Sequence, residues 1–260
     1  MTIGEKEYKN RVILITGGGS GIGRELALTF ARQGAAVAIT GRRKDPLAET
    51  VHDIVKDGGK AMAITGDISN PMDCQKAVAE CVSQLGHLHV LINNAGIARI
   101  GSLAQTADDE IAHMLDINLR GAMLMSKYSL PELTKQGATK ASNILNIGSS
   151  AATVPVKNFS VYSAAKAGMN HFTRCMALEL APDHIRVNCI NPGVVDTPIF
   201  ETMMPTAAVQ KAMENFAVQT PLGRVGQPSD IAEAALFLCS SKAAWITGAV
   251  LLVDGGISLG

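Results

Sequence analysis

The chain carries no excess charge of either sign: 23 Lys and Arg balance 23 Asp and Glu over 260 residues. A broad cationic surface for nucleic acid or an anionic membrane is therefore not expected. Long apolar runs are missing too. Met1 to Asn10 is charged and polar, without the apolar centre of a secretory signal, and no later stretch approaches the length of a membrane span. A cytoplasmic protein is expected. Cysteine is sparse: Cys74, Cys81, Cys175, Cys189 and Cys239 are odd in number and never spaced as a zinc or redox pair, which predicts reduced core thiols. His87 and His89 flank one residue ahead of an apolar run, but no third ligand follows at suitable spacing, so no metal site is expected. Linkers, repeats and low-complexity tracts are absent as well.

What is present is an apolar content of 47%, enough for a sizeable core, in a length that α/β folds often use as one domain, here residues 1–260. Short apolar runs read as buried parallel strands at Val12–Thr16, Ala36–Thr40, Ala61–Thr65, Val90–Ile92, Ile144–Ile147, Val187–Ile190 and Val250–Val253. Helical periodicity falls between them, at Ile22–Gln33, Leu47–Lys56, Pro71–Leu85, Ala107–Lys135, Val161–Leu180 and Ser229–Cys239. Alternation of this kind predicts a Rossmann-type α/β fold: a doubly wound, parallel, seven-stranded sheet with helices on both faces. Ligands of such sheets bind beyond the carboxyl ends of the strands.

The first strand runs into Thr16-Gly17-Gly18-Gly19-Ser20-Gly21-Ile22-Gly23 and then directly into a helix. Glycines permit a tight turn and let a pyrophosphate approach the backbone, where the N–H groups and dipole of the helix start hold it. Gly17, Gly19, Ser20, Gly21, Ile22 and Gly23 are thus candidate dinucleotide contacts. NAD binders usually end their second strand with a carboxylate for the ribose hydroxyls. Here that position reads Thr40-Gly41-Arg42-Arg43, so Arg42 and Arg43 are expected to hold a 2′-phosphate and to favour NADP(H), with NAD(H) still possible. Asp67, beside Ile68 in Gly-Asp-Ile-Ser, is placed to accept from an adenine amino group; as an alternative, it caps the helix after Pro71.

Tyr162 and Lys166 are four residues apart on a predicted helix, so phenol and ammonium share one face. A free tyrosine ionises near pH ~10, and a cation within a few ångströms lowers such a group by about 1–3 units. The expectation is an acidified phenol that exchanges protons near neutrality. Ser149 lies thirteen residues upstream in a Gly-Ser-Ser turn after a strand.

Together, the 16–23 turn, Asn93-Asn94-Ala95-Gly96, Asn118, Ser149, Tyr162-xxx-Lys166 and Asn191-Pro192-Gly193 resemble the short-chain dehydrogenase/reductase family over nearly the whole chain. The resemblance implies hydride transfer between a nicotinamide cofactor and a carbonyl or secondary alcohol. It casts Ser149, Tyr162 and Lys166 as catalytic, with Lys166 also on the nicotinamide ribose, and Asn118 as the residue that kinks its helix and holds a water near the lysine. It places Asn94, Ala95 and Gly96 along the adenine-ribose side, and Pro192, Gly193, Val195 and Thr197 over the nicotinamide. A homotetramer built through helices 107–135 and 161–180 and the last strand is likewise implied.

Substrate choice is expected to rest on the segment Val194 to Gly223, whose Ile199, Phe200, Met203, Met204, Val209, Met213 and Phe216 form either an apolar lid or a packed helix face. Ile97–Leu103 and Ala151–Phe159 should make the other walls, and neither offers a paired basic clamp. A small neutral, hydrophobic ketone or alcohol is the expected substrate. The runner-up is a 3-oxoacyl carrier-protein reductase, for which Lys135 and Lys140 could supply basic docking surface, although Asp183 opposes an acidic partner. A catalytically silent NADP-binding sensor is the alternative from another class.

Overall fold

A computed structural model describes residues 7–137 and 142–259. Seven parallel strands form one sheet: β1 Val12–Thr16, β2 Ala36–Gly41, β3 Lys60–Thr65, β4 Val90–Asn93, β5 Asn143–Ile147, β6 Arg186–Pro192 and β7 Val250–Val253. Their spatial order is β3-β2-β1-β4-β5-β6-β7, so the chain winds outward from β1 to β3 and then resumes on the other side with β4. The crevice between the carboxyl ends of β1 and β4 is the point where the winding reverses.

The predicted strands all form, β1 and β7 with the expected ends and the others shifted by one or two residues. β1 is buried along its whole length because both faces are covered, which is why its sequence is continuously apolar rather than alternating. Residues of α1 (Gly21–Arg32), α2 (Lys44–Lys56) and α8 (Pro228–Cys239) pack on one face around Leu26, Phe30, Leu47 and Ile231. The other face is covered by α3 (Pro71–Leu85), α5 (Gly121–Gly137) and α6 (Ser160–Leu180), through Cys74, Val78, Cys81, Met125 and Met176.

Three helical expectations need correction. First, α2 begins at Lys44 rather than Leu47, because Pro46 falls within the first turn, where a missing N–H leaves no bond unmade. Second, the helix expected over 107–135 is two helices, α4 (Asp108–Leu115) and α5, joined by a π-helical turn at Asp116–Arg120. Within that turn the Asn118 amide donates to the carbonyl of Met114, four residues back, and so competes with the regular helical bond. Third, the stretches of helical periodicity omit Thr206–Gln219, which is a helix, α7, as the helix-face alternative for Val209, Met213 and Phe216 allowed, although none of its residues is buried. Among the described residues, no helix is long and apolar enough to cross a membrane.

Core and surface positions should separate cleanly on truncation. Leu26 is fully buried, whereas Met72 in the first turn of α3 is 73% exposed. Leu26→Ala is expected to cost about 2–5 kcal/mol and Met72→Ala within about 0.5 kcal/mol, measured as shifts in the urea midpoint.

Candidate active site

The glycine turn after β1 lies at the reversal point and is locked to the end of β4. Thr16 Oγ1 accepts from the backbone N–H groups of Asn94 and Ala95, each at 3.0 Å. Asn94 Nδ2 donates to the Thr16 carbonyl at 2.9 Å and more loosely to that of Gly17 at 3.3 Å. Gly17 has φ +70°, and a Cβ on Gly23 would sit 2.2 Å from the Gly17 carbonyl oxygen, so α1 can start this close to β1 only with glycine at 23. Ser20 caps α1 without a side-chain bond, leaving the first-turn N–H groups of Gly21, Ile22 and Gly23 for an incoming anion.

Both arginines after β2 flank this turn. Arg43 Nη2 donates to Ser20 Oγ at 3.3 Å, and Arg42 Nη1 lies 3.9 Å from Asp67 Oδ2 with half of its side chain exposed. Asp67 Oδ1 accepts from the backbone and hydroxyl of Ser69 at 2.9 and 2.8 Å. Burial is the largest single influence on the Asp67 carboxyl and pushes it up, but the Ser69 bonds with Arg42 and His113 outweigh it and hold the group below the usual carboxylate range. The cap of α3 is Asn70, which accepts from Met72, so the helix-capping alternative for Asp67 is set aside. Ile68 is buried in the core, leaving only its backbone to face a ligand.

Across the crevice, Pro192 closes β6 in register with Val253, and Gly193 donates to the Val253 carbonyl. Thr197 reaches back over the glycine turn, its Cβ 3.3 Å from where a Gly21 Cβ would lie. The Val195 side chain is 5% exposed and joins the core with Ile231, leaving only its backbone to face a ligand.

Ser149, Tyr162 and Lys166 converge at the carboxyl end of β5. Lys166 is 4% exposed and its ammonium donates to the carbonyl of Ile147, the last residue of β5, at 2.9 Å. Its Nζ lies 5.7 Å from the Tyr162 ring centroid. A Cβ on Gly96 would fall 2.9 Å from Asn118 Oδ1 and 3.5 Å from Lys166 Nζ, so these three residues meet. Asn118 is fully buried; its Oδ1 accepts from Ile97 N–H at 3.1 Å, and its Nδ2 donates to the carbonyls of Ile97 and Met114. That amide clamps the strand β4 exit against the π turn. Ser149 Oγ accepts from Ala151 N–H at 3.2 Å, which leaves its own O–H free to donate.

The proton affinities differ from the sequence expectation. Burial raises the Tyr162 phenol above its ordinary value, opposed by a hydrogen bond with Ser149; it is not acidified. Burial lowers Lys166 to about 8, opposed by Cys189. The reason is geometric: Lys166 lies over the phenol ring and spends a donor on Ile147, while the enclosure of both groups disfavours any charge.

A layer that sequence reasoning missed lies beneath. Asn191 Oδ1 accepts from Ser149 N–H at 3.2 Å and from Cys189 Sγ at 3.4 Å, and Cys189 also contacts Asn170 Oδ1 at 3.4 Å. Asn191 stood in a recognised motif, but nothing in one sequence shows which way a strand-end side chain points. Beside Tyr162, which packs on Phe159 at 4.7 Å, is a cavity of about 230 Å³ reaching to Arg99, Gln105, Thr106 and Glu110. Ile97, Ile199 and Met203 pack against Tyr162, Ala98 and Met114. A cavity of about 450 Å³ lies at the opposite, amino end of the strands, between Asn10, Gly58 and Lys60; it is remote from the Tyr–Lys pair and offers no comparable chemistry.

Known proteins share this chain's sequence pattern and fold over almost its whole length. The model of a family described as enoyl-(acyl carrier protein) reductase matches residues 17–258. A cyclohexanol dehydrogenase of an Acinetobacter species is 34% identical over 250 residues, covering 96% of this chain and 95% of the relative. The crystal structure of a 3-ketoacyl-(acyl-carrier-protein) reductase from Brucella melitensis complexed with NADH superposes with a TM-score of 0.89 at 37% identity, covering 96% of this chain and 99% of that one. A short-chain type dehydrogenase/reductase from Mycobacterium marinum reaches a TM-score of 0.91 at 29% identity, with 98% of each chain covered. Likeness over this length, on a sheet whose crevice gathers these side chains, means that the chain belongs to the short-chain dehydrogenase/reductase family, oxidoreductases that move hydride between NAD(P)(H) and a carbonyl or alcohol.

Proposed function

We propose that this protein, as one domain over residues 1–260, uses NADP(H) to interconvert a small neutral, hydrophobic ketone and its secondary alcohol, in the cytoplasm. The observation that carries the reading is the meeting of Ser149, Tyr162 and the buried Lys166 below an apolar wall of Ile97, Phe159, Ile199 and Met203. Gly17–Gly23 with Gly19 and Ser20, the Asn94–Gly96 segment, Lys166 and the stretch from Pro192 and Gly193 to Thr197 would hold the dinucleotide. The uncapped N–H groups of α1 and the room that only glycine leaves there fit its pyrophosphate. Arg42 and Arg43 would take a 2′-phosphate, and Asp67 with the Ile68 backbone the adenine. Hydride transfer is the chemistry that a bound nicotinamide supplies.

The chain's own residues manage the charge that transfer creates. As the carbonyl oxygen becomes alkoxide-like, Ser149 and Tyr162 donate hydrogen bonds to it, and Tyr162 gives up its proton as the alcohol forms. A phenol kept protonated by burial suits that direction. Lys166, charged below about pH 8, strengthens the phenol as a donor, and Asn118 positions Lys166 through Gly96 and Ile97.

Among relatives, the cyclohexanol dehydrogenase acts on a neutral secondary alcohol, which favours this substrate class. The Brucella reductase favours carrier-linked 3-oxoacyl groups as a second reading. Against it, Lys135 is already paired with Glu132 at 2.6 Å; Lys140 lies outside the described residues. For assembly we infer a homotetramer. Leu251 and Leu252 are 39% and 41% exposed on β7, the free edge of the sheet, and Trp245 is fully exposed just before it. Such apolar exposure is what a partner copy covers. On α6, Gly168 packs on Leu119 and Ala165 is buried, whereas Ala164 is exposed and leaves room for a partner helix.

Three outcomes check this reading. Tyr162→Phe should lower kcat for ketone reduction by about 10²–10⁴-fold, and wild-type reduction should fall as pH rises through about 8, where Lys166 loses its charge; near-normal turnover by the variant rejects the assignment. Arg42→Asp should shift the kcat/KM ratio from NADPH toward NADH by about tenfold or more, the size of losing one charge-assisted phosphate contact. Light scattering should give four chains per particle, and Trp245→Glu should reduce that number.

A further inference from the structure

The cavity beside Tyr162 has two unlike ends. Its inner end is apolar, formed where Phe159 and Met114 pack around Tyr162. Its outer end carries an ion pair: Arg99 extends from the segment after β4, and its Nη1 contacts Oε1 of Glu110 on the first turn of α4. Tyr162, Arg99 and Glu110 line the same cavity, and its volume of about 230 Å³ is below the usual 300–1,000 Å³ of sites for drug-sized ligands, so a small substrate that enters it meets both the phenol residue and the pair.

We infer that Glu110 is a specificity residue: by occupying Arg99 it bars carboxylates and selects, at the far end of the substrate, a neutral group. This rests on the reading of the site as one for carbonyl substrates and refines its substrate class. An arginine lining a pocket is ordinarily the strongest recognition element for a carboxylate, because its planar fork binds both oxygens. Here one arm of the fork, Nη1, is held by Glu110, whose side chain is one third exposed against nearly two thirds for Arg99. A substrate carboxylate would have to displace Glu110 or share Arg99 with it, and in either case two anions stand side by side and repel. Asp108 and Asp109 precede Glu110 on the same turn and add to the negative field at this rim. Thr106, Gln105 and Asn158 also line the cavity and can hydrogen-bond a neutral oxygen without any charge to desolvate.

The test compares 4-oxopentanoate with its methyl ester, which differ at the far end alone. Binding of both is followed by ligand-observed NMR titration on the wild type, Glu110→Gln and the double variant Arg99→Gln/Glu110→Gln, with NADPH-dependent turnover measured in parallel. In Glu110→Gln the ratio of acid to ester affinity should rise about five- to tenfold, as Arg99 becomes free for a charge-assisted bond, and in the double variant it should return to the wild-type value or below. An unchanged ratio in Glu110→Gln, or a gain that survives loss of Arg99, overturns the inference. Absence of ester turnover with the expected binding ratios would instead strike the reading of the site as a ketone reductase.

Discussion

A cation enclosed at the carboxyl end of the sheet is the constraint on which the site depends. Taking an ammonium out of water is costly unless polar partners surround it. Lys166 meets that demand with the free carbonyl of Ile147, which exists because β5 ends there, and with a position in α6 that only the packing of this helix on β5 and β6 can fix. The same enclosure explains why the phenol beside it holds its proton rather than losing it. Charge and burial therefore act against each other at this point, and burial governs both groups.

Around this centre the chain uses asparagine amides as braces. Asn94 ties β4 to the glycine turn, Asn118 ties the β4 exit to the π turn, and Asn191 ties Ser149 to β6. Deeper still, Asn93 donates to Ser126 and Asn146, and Asn146 to Thr173. An amide both donates and accepts, so it can join two backbone segments at once, as Asn118 does between Ile97 and Met114. Buried polar networks of this kind fix one arrangement to the extent that they are satisfied; here Asn93 Oδ1 and Asn191 Nδ2 are the ends without a hydrogen-bond partner among these asparagines.

Much of this could be read before any coordinates. Continuous apolar runs marked the strands because both sheet faces are covered, and the glycine turn marked the crevice because close helix–strand approach there tolerates no side chain. Tyr162 and Lys166 were legible from helical spacing alone. Other features were not. The break at Asp116–Arg120 was foreshadowed only by the family resemblance of Asn118, since the bond from Asn118 to Ile97 spans 21 residues and no local pattern encodes it. The proton affinity of Tyr162 came out in the opposite sense because spacing reports a neighbour but not its enclosure. Arg99 and Glu110 are eleven residues apart across an irregular segment, so their pairing is likewise a property of the fold.

Helix α7 illustrates how such a scaffold divides its tasks. None of its residues is buried, although it belongs to the stretch between β6 and α8 that reaches over the catalytic end of the sheet. Surface positions of this kind tolerate exchange at little cost in folding free energy. Changes on the outer side of α7 can therefore accumulate without disturbing the sheet or the Tyr162–Lys166 pair, which decouples the outline of the molecule from its chemistry.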